Sequence, residues 1–84
     1  MPRIKLYTTR WCGYCVRAKT LLASRGIPFE EIYLDEDVNF RETLAQLTGG
    51  RTVPQILIDG KPIGGYTELW ELDRSGRLSE LLAA

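Results

Sequence analysis

The sequence contains no histidine, only two cysteines, and no acidic residue before Glu30. Each shortage removes a class of function. A structural zinc site built on Cys12 and Cys15 would need two further ligands. Neither a third cysteine nor a histidine exists to supply them, and acidic ligands rarely complete such a site. Two cysteines are also too few to staple a small secreted framework, which makes a reducing cytoplasm the expected compartment. No apolar run approaches the roughly 20 residues that cross a bilayer, and the N-terminus runs into a strand-like segment without a signal-peptide pattern. No membrane partner is therefore expected. Eleven Lys and Arg balance eleven Asp and Glu. That balance argues against nucleic acid or an anionic membrane as the main partner.

What is present is the make-up of an ordinary globular domain, 44% hydrophobic and 26% charged. At 84 residues, the chain has room for one core, so 1–84 is expected to form a single, efficiently packed domain. Residues 3–8 alternate in polarity and read as a strand, and Thr8-Thr9-Arg10-Trp11 as a loop. A helix is expected from about Cys12 to Arg25, stopped by Gly26 with Pro28 just beyond. Cys15, Ala18 and Leu22 fall on its inward face, with Leu21 beside them.

A second strand over 29–34 leads through the acidic turn Asp35-Glu36-Asp37 into a helix over about 38–47. Asp37 is its expected N-cap and Gly49-Gly50 its stop. Gln55-Ile56-Leu57-Ile58, Asp59-Gly60 and Lys61-Pro62-Ile63 read as a hairpin with a type I′ turn, and Pro62 puts its second strand at a sheet edge. After Gly64-Gly65 a helix is expected over 67–74 with Thr67 as N-cap, then a short turn over 78–82. Trp70, Phe29 and Phe40 are expected in the core. The order β-α-β-α-β-β-α predicts an α/β fold. Its four-stranded mixed sheet carries helices on both faces, with a parallel first βαβ unit and an antiparallel closing hairpin. This is the layout of the thioredoxin fold.

Cys12-Gly13-Tyr14-Cys15 stands at the junction of the first strand and first helix. A purely structural disulfide there would close too short a loop to remove much unfolded-state entropy. Redox chemistry is the remaining reading, because a Cys-x-x-Cys beside a βαβ pattern is its signature. Cys12 sits among unpaired N–H groups at the positive end of a helix, which favours the attacking thiolate. Cys15 lies a turn deeper on the apolar face. Cys12 is therefore expected to attack and Cys15 to resolve. Arg10 and Arg17 either attract an anionic thiol substrate or form part of a solvated face.

Tyr7-Thr8, Cys12-Gly13-Tyr14-Cys15, Ala18-Lys19, Thr52-Val53-Pro54 and Gly64-Gly65 fall in the order and spacing of the glutaredoxins. The chain resembles that family over essentially its whole length. The resemblance implies a cytoplasmic, monomeric thiol–disulfide oxidoreductase that uses glutathione as co-substrate and holds no tightly bound cofactor. Its partners would be glutathione and disulfide-containing or glutathionylated proteins. It further implies a cis Pro54, with Thr52 and Val53 presenting backbone to a thiol peptide as an added strand would. Gly65, Tyr66 and Thr67 would hold the γ-glutamyl end of glutathione at a helix N-terminus. Arg41, with Arg10 beside Thr9 and Arg51 as a second candidate, would meet the glycine carboxylate. Thr9 stands where many relatives carry Lys, and Thr67 where some carry Asp. Tyr14 is expected to line the thiol groove and Trp11 to serve partner docking.

Two further readings rest on the same resemblance. Some glutaredoxins with a small residue where Gly13 stands hold a 2Fe–2S cluster between two protomers, and Cys12 would then be a ligand. Trp11-Cys12-Gly13-Tyr14-Cys15 also resembles mycoredoxins. That leaves another small thiol, or thioredoxin reductase, as the electron donor.

Overall fold

The first strand, β1 (Ile4–Thr8), owes its place to alternation. Ile4, Leu6 and Thr8 are buried while Lys5 points to solvent. A computed structural model of the protein describes residues 2–83. It places β1 between β2 (Phe29–Tyr33) and β3 (Gln55–Ile58), with β4 (Lys61–Gly64) outermost, in the order β2-β1-β3-β4. β1 and β2 run parallel from Ile4 opposite Phe29 to Thr8 opposite Tyr33. β3 runs antiparallel to both β1 and β4. As a central strand covered on both sides, β3 buries all four of its residues. Pro62 lies on the edge strand, where its missing N–H costs no ladder bond. Asp59 and Gly60, at φ 52° and 81°, make the turn the hairpin sequence demands.

The helix α1 (Gly13–Ser24) buries Cys15, Ala18 and Leu22. It packs beside α3 (Tyr66–Arg74) over one face of the sheet, with α4 (Arg77–Ala83) against α3. Ile4, Leu6, Ala18, Leu22, Ile56, Ile58, Leu69 and Leu78 form the core there. Each fully buried Leu or Ile contributes about 1.5–3 kcal/mol relative to exposure. The helix α2 (Phe40–Thr48) turns its one buried residue, Leu44, to β3 and β4 outside that cluster. Leu57, alternating with Ile56 and Ile58, points the same way.

Four expectations are corrected. The second helix begins at Phe40, not near Val38, because the Asp37 carboxylate is engaged upstream. It accepts from Asn39 N–H at 2.8 Å and from the Thr43 hydroxyl at 2.7 Å, which leaves Asn39 as the cap. The third helix begins at Tyr66 with Gly65 as its cap, so Thr67 lies inside it; Glu68 reaches back to accept from Gly65 N–H at 2.8 Å. The last turn is a full helix, α4, entered through Gly76 at φ 82°. It is pinned by Arg3, which donates to the Leu82 and Leu81 carbonyls and pairs with Asp59 at 2.6 Å. Finally, Trp70 is 40% exposed, because Leu69 and Leu72 already supply the inward stripe of α3. Phe29 packs against the core and Phe40 is half-buried.

Candidate functional site

Cys12 caps α1. Its backbone is extended, at φ −126° and ψ 107°, and its Sγ accepts a hydrogen bond from Cys15 N–H at 3.1 Å. Sulfur thus stands where a serine or aspartate oxygen usually caps a helix, receiving one of the orphan N–H groups. No acidic residue occupies the first turn of α1, so nothing negative competes for the positive end of the helix. On its other side the Cys12 thiol donates to the Val53 carbonyl at 3.5 Å. The peptide bond from Val53 to Pro54 is cis.

Both cysteines are free thiols, Cys12 partly exposed and Cys15 buried. Burial, and then the hydrogen bond to Cys12 and its charge, push the Cys15 thiol up to about 12; the Thr9 backbone and Lys19 oppose this more weakly. At neutral pH Cys15 therefore keeps its proton. Lys19, one helical turn beyond Cys15, pairs with Glu31 at 2.8 Å, and Glu31 also accepts from the buried Thr8 hydroxyl at 2.9 Å. Burial alone would raise the Glu31 carboxyl, but the bonds from Lys19 and Thr8 hold it below its ordinary value.

A groove of about 670 Å³ opens beside Val53, between the 48–55 segment and the start of α3. Its two walls meet closely. A Cβ at Gly65 would stand 3.2 Å from the Pro54 carbonyl oxygen, tighter than van der Waals contact allows without movement. Of the residues singled out from sequence, Tyr14, Thr52, Val53, Pro54, Gly65, Tyr66 and Thr67 line this groove. The Tyr14 and Tyr66 rings lie 6.1 Å apart at one end.

The others lie elsewhere. Thr9 is half-buried behind the cysteines, and Trp11 is 97% exposed. Arg10 turns to the acidic turn, where its N–H donates to Asp35 at 2.9 Å. Its side chain shares a separate depression with Tyr33, Asp35 and Glu36. Arg41 lies over the Phe40 ring and donates to the Arg51 carbonyl at 3.3 Å, just outside the groove. Sequence reasoning missed Thr48, Gln55 and Glu68 as lining residues. Glu68 had a legible signal in its place four residues after Gly64, one turn into a helix. Thr48 and Gln55 read only as helix end and strand.

Among the described residues, no three His, Cys, Asp or Glu side chains converge to hold a metal ion. No helix among them is long and apolar enough to cross a membrane.

The glutaredoxin family model matches residues 4–63. The chain is 46% identical over 84 residues to a glutaredoxin of Pseudomonas aeruginosa, covering all of both proteins. It is 44% identical over 82 residues to glutaredoxin 3 of Escherichia coli, covering 98% of this chain and 99% of that one. The crystal structure of a buckwheat glutaredoxin–glutathione complex superposes with a TM-score of 0.87 at 36% identity, over 96% of this chain and 76% of that one. The solution structure of glutaredoxin from Brucella melitensis gives 0.82 at 38% identity, over 98% and 89%.

Proposed function

The chain belongs to the glutaredoxin family, thioredoxin-fold thiol–disulfide oxidoreductases, and on that premise we propose that it reduces glutathione mixed disulfides and protein disulfides with glutathione as electron donor. The observation that carries this reading is the position of Cys12 Sγ. It sits between the Cys15 N–H and the Val53 carbonyl, beside a groove whose far wall is a helix N-terminus.

The chemistry follows from that arrangement. The Cys12 thiolate attacks the glutathione sulfur of a mixed disulfide, the protein thiolate leaves, and a Cys12–glutathione disulfide forms. A second glutathione thiolate attacks that bond, releasing oxidised glutathione and restoring Cys12. With a protein disulfide, Cys12 forms the mixed disulfide with one client cysteine and expels the other as thiolate. Cys15 then loses its proton and attacks Cys12 Sγ, expelling the second client thiolate. Two glutathiones reduce the Cys12–Cys15 disulfide.

Cys15 is timed by its neighbour. Two of the influences that hold its proton, the hydrogen bond to Cys12 and the charge on Cys12, vanish once Cys12 is in disulfide linkage. Burial remains, so resolution is slower than attack by an exposed thiolate, and the route through Cys12 alone carries small mixed disulfides.

For glutathione itself, the groove offers the α3 N-terminus to the γ-glutamyl carboxylate. Glu68, the one carboxylate that lines the groove among the described residues, offers a partner to the amine of the same group. The backbone of Thr52 and Val53, just before the cis Pro54, pairs with the peptide part. Arg41 and Arg51, at the groove's edge, attract the glycine carboxylate.

Turnover of a glutathionylated peptide, with glutathione recycled by its reductase, tests this. Cys15→Ser keeps that turnover and Cys12→Ser abolishes it; activity without Cys12 would sink the mechanism. Replacing glutathione and its reductase with thioredoxin reductase should slow the cycle. Equal or faster turnover would overturn the assignment of the donor.

A further inference from the structure

A second groove, of about 360 Å³, runs between α1 and α3, with Val16, Arg17, Leu21, Tyr66 and Trp70 along it. It begins where the first groove ends, because Tyr66 lines both and the Tyr14–Tyr66 ring contact stands between them. Cys12 lies two residues from Tyr14. The surface is apolar and aromatic without being covered: Tyr14 is 57%, Val16 53% and Trp70 40% exposed.

Of its charged lining residues, Arg17, Arg25 and Asp73, only Arg17 makes no ion pair among the described residues, and Arg74 stands just outside the lining. Arg25 and Asp73 close one end as a two-bond pair at 3.0 Å and cancel each other. Arg17 lies over the Tyr14 ring at 5.3 Å, and Arg74 over the Trp70 ring at 5.0 Å. Neither makes an ion pair among the described residues. A guanidinium lying over a ring through the cation–π attraction can still offer N–H donors to a carboxylate. Among the described residues, no hydrogen bond or ion pair uses those donors.

We infer that the α1–α3 groove docks an acidic, apolar-anchored segment of the client polypeptide that carries the disulfide Cys12 attacks. This inference rests on the oxidoreductase reading and adds a second recognition surface to it, separate from the glutathione groove. An apolar client side chain seats against Val16, Leu21 and Trp70, and client carboxylates meet Arg17 and Arg74. Trp, Tyr and Arg are the residues that dominate interface energetics. Unpaired rim arginines also raise encounter rates with an acidic partner in a salt-dependent way.

The test uses two peptides with the same glutathionylated cysteine. One is followed by an Asp- and Glu-rich segment containing one Phe, and in the other Lys replaces every acidic residue. The parent protein should reduce the acidic peptide with a kcat/KM about tenfold higher at low salt, a preference that shrinks as ionic strength rises. Arg74→Glu, and separately Trp70→Ser, should remove most of that preference. Both should leave unchanged the rate on a glutathionylated cysteine lacking any extension, which also reports an intact fold. Equal kcat/KM for the two peptides in the parent, or an undiminished preference in both variants, overturns the docking site. Anisotropy of the same labelled peptides with Ser in place of Cys reads docking without chemistry. Selective binding of the acidic peptide with no turnover of any substrate would overturn the oxidoreductase reading and leave the docking site standing.

Discussion

Replacing Gly13 with proline should make the reduced protein more stable. Gly13 is the first residue of α1, where an N–H has no partner inside the helix and proline's fixed φ already suits the helix. Proline restricts the residue before it to extended backbone, and Cys12 is extended, at φ −126° and ψ 107°. A Cβ at position 13 meets nothing within 4 Å. The folded state therefore accepts the ring, and the gain comes from the unfolded chain, which loses conformations it would otherwise populate. Such substitutions stabilise by about 0.4–1 kcal/mol. For a domain of this size, about 4–8 °C per kcal/mol gives a rise in Tm of roughly 2–8 °C.

The assay is urea and thermal denaturation of Gly13→Pro beside the parent, with both thiols kept reduced. The urea midpoint should rise while the slope stays constant. An unchanged or lower midpoint would refute the claim that Gly13 is a dispensable glycine at a proline-compatible position. It would mean that the N–H of residue 13 or its backbone freedom is used in the folded state.

Two other outcomes follow from the same geometry. Because the Cys15 thiol is held up at about 12 from an ordinary 9.0, its stabilising contribution is complete below pH 9 and is lost as pH rises toward 12. By pH 10 the loss is on the order of 1 kcal/mol. Urea denaturation of reduced protein at pH 8 and pH 10 should show it, and Cys15→Ala should lack it; an equal loss in both proteins would contradict the assignment. Gly65→Ala places a methyl 3.2 Å from the Pro54 carbonyl oxygen and pushes apart the two walls of the groove proposed to hold glutathione. Steady-state kinetics on a glutathionylated peptide should show KM raised about fivefold, equivalent to roughly 1 kcal/mol, with kcat within twofold. An unchanged KM would show that the walls do not need this approach.

The parts of the molecule that were legible in the sequence are those governed by short-range rules. Alternation in β1, the i, i+3, i+7 face of Cys15, Ala18 and Leu22, and the Asp59-Gly60 turn each follow from a few neighbouring residues. The order of these elements then leaves few topologies open. Cap assignments were less secure, because a polar side chain near a helix start has several N–H groups to choose from. Asp37 bonds Asn39 and Thr43 and leaves the cap to Asn39. Thr67 yields to Gly65 because Glu68, three residues on, reaches back to the Gly65 N–H.

The site divides along the same line. The Cys12–Cys15 pair is local, and its geometry as a helix cap follows from its spacing. The long side chains are not local: nothing in the sequence tells that the Arg10 backbone turns to Asp35, or that Arg41 lies against Phe40 and the Arg51 carbonyl. Trp70 shows the same limit. A tryptophan in an amphipathic helix reads as core by composition, yet one step of 100° around α3 from the buried Leu69 carries it to the surface. It lies under the Arg74 guanidinium at 5.0 Å and lines the groove between α1 and α3, so its exposure is informative: burial rules place Leu69, and the docking inferred above would cover the face of Trp70 that the fold leaves open.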